Sequence, residues 1–150
     1  MRILCLGGGP AGLFFAILMK QADPRHEVTV LERNRADDTF GWGVVFSDQT
    51  MAGFRAHAPE VVDEIERGFR HWDDIDTYFR GEKITSRGHG FAGIARMKLL
   101  QILQRRALAL GVTVRFETEV GEPDAYCAEY DLVIGADGVN SVARRRHEEI

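Results

Sequence analysis

Four residues near the amino terminus have the types and the spacing to hold a dinucleotide. In "RILCLGGGPAGLFFAILMK", Gly7, Gly9 and Gly12 satisfy G-x-G-x-x-G, and Glu32 follows twenty residues after Gly12. A pyrophosphate needs backbone N–H groups, room to approach them, and the positive end of a helix dipole. Gly7 would allow the tight turn and Gly9 the close approach, while Gly12 would let a helix lie against its strand. Pro10 and Ala11 would open that helix. Glu32 stands where a carboxylate accepts from an adenosine ribose hydroxyl, with Arg33 beside it. A carboxylate there disfavours a 2′-phosphate, so FAD or NAD is expected in this crevice rather than NADP.

Two further positions carry charge in suggestive places. In "DLVIGADGVNSVARR" a strand runs into Ala136, Asp137 and Gly138. That would bring a carboxylate to the carboxyl end of a parallel sheet, where ligands of open α/β folds bind. Asp137 could orient a ribose or ribityl hydroxyl, or hold a phosphate-binding loop through backbone hydrogen bonds. The competing reading is an ordinary strand-ending Asp-Gly turn. Arg96 opens a helix, where its charge opposes the dipole, so it either points to solvent or pairs with an anion.

The elements needed to position these groups are legible from periodicity. Residues 2–6 read as a buried strand, 7–12 as a turn, 11–22 as a helix and 27–32 as a second strand. That is a βαβ unit with parallel strands. Val61, Val62, Ile65, Phe69 and Trp72 follow helical spacing across 59–72, interrupted by Gly68. Residues 83–94 suggest strands around a glycine-rich turn, and 96–111 an amphipathic helix closed by Gly111. Residues 112–120 and 131–137 read as strands. The whole of 1–150 is taken as one FAD/NAD(P)-binding domain. The segment "FGWGVVFSD" (40–48) is too apolar for a solvated loop and too short for a core of its own.

Composition excludes several classes of partner. A chain of 150 residues that is 45% hydrophobic and 28% charged, with net charge −4, offers no basic field for nucleic acid or an anionic membrane. No apolar run reaches membrane-span length, and the glycines and proline of 7–10 disrupt any signal-like helix. Cys5 alternates with apolar residues and reads as a small buried hydrophobe, and no C-x-x-C is present, so a reduced, cytoplasmic protein is expected. His71, Asp73, Asp74 and Asp76 match no common metal-ligand spacing. Ser141 lacks the G-x-S-x-G context of a nucleophile. His89, in "GHG", is read as an exposed turn residue rather than a ligand contact. No metal site and no catalytic acid–base pair is expected.

Together, "GGGPAG" with Glu32, "DLVIGADGVNSVAR" and "ARMKLLQIL" resemble the FAD-dependent aromatic-ring monooxygenases of the p-hydroxybenzoate hydroxylase fold. The resemblance implies an α/β, Rossmann-like FAD-binding domain of the glutathione-reductase-type ββα variant. It also implies that Arg96 reaches the FAD pyrophosphate and that the Asp137 motif serves FAD and the nicotinamide. Residues 41–46 (Gly41, Trp42, Gly43, Val44, Val45 and Phe46) would pass beside the flavin ring. The chain departs from the pattern at Trp42, where many members carry arginine. The wording of 40–50, 71–76 and 88–96 resembles the branch acting on aryl-CoA thioesters such as salicylyl-CoA or anthraniloyl-CoA. Implied partners are NAD(P)H, dioxygen and an aromatic substrate, and the chain reads as the N-terminal part of a longer enzyme. The alternatives are a flavin or nicotinamide reductase without oxygen chemistry, or a non-catalytic dinucleotide-binding module.

Overall fold

The computed structural model describes residues 1–148, which form two compact units: 1–39 with 100–148, and 40–99. The first unit is built on a fully parallel sheet. β1 (Arg2–Leu6) lies between β2 (Glu27–Leu31) and β9 (Leu132–Gly135), and β8 (Thr113–Arg115) flanks β2. Counting only these strands in chain order, the sheet runs 3-2-1-4, the order of a dinucleotide-binding half. β1 is central, and Ile3, Leu4, Cys5 and Leu6 are all buried. An unbroken apolar strand is what a parallel sheet covered on both faces requires.

The α1 helix (Pro10–Ala22) starts with proline at its first turn, where the missing N–H costs nothing. It buries Gly12, Leu13, Ala16 and Ile17, a stripe at helical spacing. Alternation along β1 sends Ile3 and Cys5 to one face and Leu4 and Leu6 to the other. On the second face Leu4, Leu6 and Leu31 pack with Val120, Tyr126, Tyr130, Val133 and Ala143. Lys20, in the last turn of α1, donates to the carbonyls of Pro24 (2.7 Å) and His26 (2.9 Å), tying helix to β2.

The expected strand over 112–120 is shorter than its alternating pattern suggests. β8 ends at Arg115, and Glu117 adopts a left-handed backbone with φ of 52°. Its N–H turns to the Asn34 carbonyl (3.1 Å) and that of Thr118 to the Glu32 carbonyl (2.9 Å). Those bonds brace the end of β2 in place of continuing a ladder. The helix before β8, α4 (Arg96–Ala109), ends as expected at Gly111, whose φ is 82°. There the Val112 N–H reaches the Ala107 carbonyl (3.0 Å) and the Gly111 N–H that of Leu108 (3.0 Å), a Schellman closure.

The second unit holds an antiparallel sheet of β3 (Gly43–Ser47), β7 (Phe91–Ala95) and β4 (Arg70–Trp72), in that order. Beside it lie α2 (Asp48–His57), α3 (Pro59–Glu66) and a hairpin of β5 (Ile75–Phe79) and β6 (Glu82–Ser86). The helix expected over 59–72 stops at Glu66. A β-carbon at Gly68 would sit 2.9 Å from Ile94 Cδ1 and 3.2 Å from the Ile65 carbonyl, so the chain turns tightly there. Phe69 is then buried against Phe46, with ring centroids 5.8 Å apart, and Trp72 lies in β4 opposite Phe91. The helical spacing of Phe69 and Trp72 was therefore coincidental. The α2 helix has a readable start that periodicity misses: Ser47 caps it, accepting the Thr50 N–H at 3.3 Å, with Asp48 in the first turn. Among the described residues no helix is long and apolar enough to cross a membrane.

Candidate dinucleotide-binding site

The carboxyl ends of β1, β2 and β9 bring together three of the sequence motifs. The ladder continues past the strands: the Gly7 N–H donates to the Leu31 carbonyl (2.8 Å) and the Ala136 N–H to the Leu6 carbonyl (2.7 Å). The glycine turn, Glu32 and Asp137 thus surround one end of the sheet, where strand order reverses about β1. In open α/β sheets that reversal creates the ligand crevice.

Each glycine of the turn has a distinct spatial reason. Gly7 has φ of 108°, and a β-carbon there would lie 2.4 Å from the Ala136 carbonyl oxygen. At Gly12 a β-carbon would lie 2.1 Å from the Gly7 oxygen, so only glycine lets α1 approach the turn so closely. Gly9 differs, since a β-carbon there meets nothing within 4 Å. No packing demand explains that glycine, and its open side is where a ligand would lie. Gly9 is also the N-cap of α1 and brings no side chain to cap it. With Pro10 lacking an N–H, the first-turn N–H groups of Ala11 and Gly12 face outward from the helix end, available to an anion.

Glu32 is placed by contacts that sequence reading did not foresee. Its Oε2 accepts the Gly8 N–H at 2.8 Å. Its Oε1 accepts both the Asn34 N–H (2.8 Å) and Asn34 Nδ2 (2.7 Å). Gly8 occupied a free position of the motif, yet a β-carbon there would lie 2.8 Å from Glu32 Cβ. The run of three consecutive glycines, one more than the motif needs, was the available signal for Gly8. Nothing in the local sequence marked Asn34. Arg33, between them, is exposed.

Asp137 sits just beyond β9 with its two oxygens used differently. Oδ2 accepts the N–H of Val142 (2.6 Å) and, more weakly, that of Ala143 (3.4 Å), at the start of α5 (Val142–Arg146). Oδ1 is buried and has no hydrogen-bond partner among the described residues. Burial alone would push this carboxyl upward. The polar surroundings at Ser141 and the Val142, Asp137 and Ala143 backbone outweigh it and hold the group below its ordinary range. The aspartate therefore holds its own loop, and a buried oxygen remains that would be satisfied by a hydroxyl or an ordered water. Ala136 lines the Gly7 and Gly12 contacts, and Gly138 is exposed.

In the second unit, the Arg96 N–H donates to the Trp42 carbonyl at 3.2 Å. Its Nε is buried with no partner among the described residues. A buried guanidinium nitrogen without an acceptor is costly. Gly41 lies next to it, its hypothetical β-carbon 4.0 Å from Arg96 Cδ. Trp42 is 98% exposed. Residues 43–46 are strand, not loop, and alternation divides them. Gly43 and Val45 share the face of Gly93, whereas Val44 and Phe46 turn to the opposite face. There the Phe46 ring is engaged by Phe54 and Phe69. His89 is exposed, stacks on Phe91 and hydrogen-bonds Ser86 at 2.6 Å. Among the described residues no three His, Cys, Asp or Glu side chains form a metal-ligand group.

No protein-family model matches the chain. It is 49% identical over 141 residues to a salicyloyl-CoA 5-hydroxylase from a Streptomyces species, covering 94% of this chain and 27% of that protein. It is 35% identical over 145 residues to the 3-hydroxy-4-methyl-anthranilyl-[aryl-carrier protein] 5-monooxygenase of Streptosporangium sibiricum, covering 97% of this chain and 40% of that one. Among solved structures, a variant of 2-methyl-3-hydroxypyridine-5-carboxylic acid oxygenase superposes with a TM-score of 0.76 at 27% identity, over 93% of this chain and 40% of that one. The chain thus spans less than half the length of the relatives it matches. In sequence and in fold the chain is similar to part of a salicyloyl-CoA 5-hydroxylase and of related monooxygenases.

Proposed function

We propose that this chain supplies the ADP-binding part of the FAD site in an aromatic-ring monooxygenase. The observation that carries the reading is the open space over Gly9, at the uncapped start of α1, flanked on one sheet end by Glu32 and Asp137. The residues present suit FAD. The N–H groups of Ala11 and Gly12 would take the pyrophosphate, and Glu32 the adenosine ribose. Asp137 Oδ1, buried without a partner, would accept from a hydroxyl. Arg96, in the second unit, keeps a buried Nε with no partner among the described residues. When bound and reduced by NAD(P)H, the flavin supplies the activation of dioxygen. The chain's own part is to bind and orient the cofactor. No side chain described here needs to move a proton.

The 49% identity to a salicyloyl-CoA 5-hydroxylase supports an aryl-CoA thioester as substrate. Two measurements test the reading. Titration of the chain with FAD should show saturable binding, and absence of binding would remove the cofactor assignment. The complete polypeptide that carries this sequence should consume oxygen with salicylyl-CoA and NAD(P)H and yield a hydroxylated thioester. Oxygen uptake without hydroxylated product would overturn the monooxygenase assignment.

A further inference from the structure

Glu32 is more tightly engaged than a residue waiting for a ligand. A carboxylate oxygen offers two lone-pair directions. Oε1 is saturated by the backbone and side-chain donors of Asn34, at 2.8 and 2.7 Å. Oε2 has one direction taken by the Gly8 N–H, at 2.8 Å, and one left. The segment carrying both residues is itself pinned. The Glu32 N–H reaches the Arg115 carbonyl (2.8 Å), Thr118 reaches the Glu32 carbonyl (2.9 Å), and Glu117 reaches the Asn34 carbonyl (3.1 Å).

We propose that Asn34 is a positioning residue that fixes the Glu32 carboxylate so that a single acceptor site on Oε2 faces the ribose diol of a bound adenine nucleotide. The proposal rests on the nucleotide reading of the site given above. The amide must present Nδ2 to Oε1, because two facing oxygens would repel. Rotation of the carboxylate about its last bond would then break all three hydrogen bonds together. Removing the amide leaves Oε1 with the backbone donor alone and frees that rotation. The acceptor then spends part of its time turned away from the diol, and discrimination for ribose hydroxyls falls. A residue that merely closed the turn at 32–34 would support the fold, but its loss would weaken all nucleotides alike.

The test measures binding of ADP and of 2′,3′-dideoxy-ADP by isothermal titration to the unaltered chain, to Asn34→Ala and to Asn34→Asp. The unaltered chain should prefer ADP by about tenfold, as for one charged hydrogen bond. In Asn34→Ala, ADP should weaken about 3- to 10-fold while the dideoxy analogue stays unchanged, so that the preference collapses. Asn34→Asp has nearly the same shape but puts an acceptor where a donor was, and should lose the preference at least as fully. It serves if the alanine variant does not fold. Equal weakening of both ligands, with the ratio preserved, would overturn the proposal and leave Asn34 a structural residue. So would an unaltered chain that binds ADP without preferring it, although the nucleotide reading would then survive. Failure of the unaltered chain to bind either ligand would remove the nucleotide reading and the proposal with it.

Discussion

Replacing Gly9 by alanine separates the two demands that a glycine-rich turn can serve. The backbone at Gly9 has φ of −72° and ψ of 179°, a conformation open to any L-residue. The added methyl would meet no protein atom within 4 Å. Two small terms then act on stability. Alanine narrows the unfolded ensemble, worth about 0.4–1 kcal/mol in favour of folding. It is also a poorer helix N-cap than glycine by about 0.5–1 kcal/mol. These nearly cancel, so the melting temperature should move by no more than about 2 °C in a domain of this size. Binding should behave differently. The methyl projects into the space where a pyrophosphate would approach and holds it back from the N–H groups. Losing one or two charge-assisted hydrogen bonds, each about 1.5–3 kcal/mol, weakens FAD by ~10- to 20,000-fold. The assay pairs a thermal melt with an FAD titration followed by flavin fluorescence. Unchanged affinity in a normally folded variant would refute Gly9 as the point of approach. A melting temperature lowered by 5 °C or more would refute the open geometry itself.

The companion change, Gly12→Ala, should do the reverse: its methyl would lie 2.1 Å from the Gly7 carbonyl oxygen, and relieving that contact should destabilise the fold by about 2–3 kcal/mol, visible as a lower melting temperature without any ligand. Asp137→Asn tests a charge. The folded-state pKa lies below the ordinary 3.8, so the stabilisation from the ionised group is complete above that value and is lost as pH falls through the folded pKa. The stability gap between parent and variant, measured by denaturant melts, should therefore be constant from pH 7 to 5 and close below about pH 4. A gap independent of pH would show that the charge contributes nothing. The thiols should differ in reactivity: Cys127 is exposed, whereas Cys5 is buried and its pKa is pushed up to about 12 by burial. Alkylation of the native chain should label Cys127 alone, and labelling of Cys5 without denaturant would contradict the packing of β1.

Much of the first unit was legible in the sequence because its signals are local. β1 is an apolar run bounded by glycine, α1 an apolar helix opened by proline, and α4 ends on a glycine whose positive φ serves the helix closure. Each follows from backbone sterics and periodicity within a few residues. The glycine turn and the carboxylate twenty residues on could be read for the same reason, and the structure brings them to one end of the sheet. Where pattern misled, a non-local contact had taken precedence. Phe69 and Trp72 keep helical spacing with α3, but Gly68 packs against Ile94 and sends them into a turn and a strand. Residues 116–120 alternate like a strand, yet Glu117 and Thr118 leave β8 to hold the end of β2.

The sequence alone determined that a strand, a glycine turn and a helix meet, and that a carboxylate follows at the distance of a ribose contact. Tertiary structure decided which lone pairs of that carboxylate stay free. It decided that Gly8 must be glycine because Glu32 lies over it, and that Gly9 has no such reason. It also divided residues 43–46 between two faces of a sheet. The physical ground is the same in each case. Torsional preferences and periodicity are properties of neighbouring residues, whereas hydrogen-bond saturation and free volume depend on chain segments that meet only after folding.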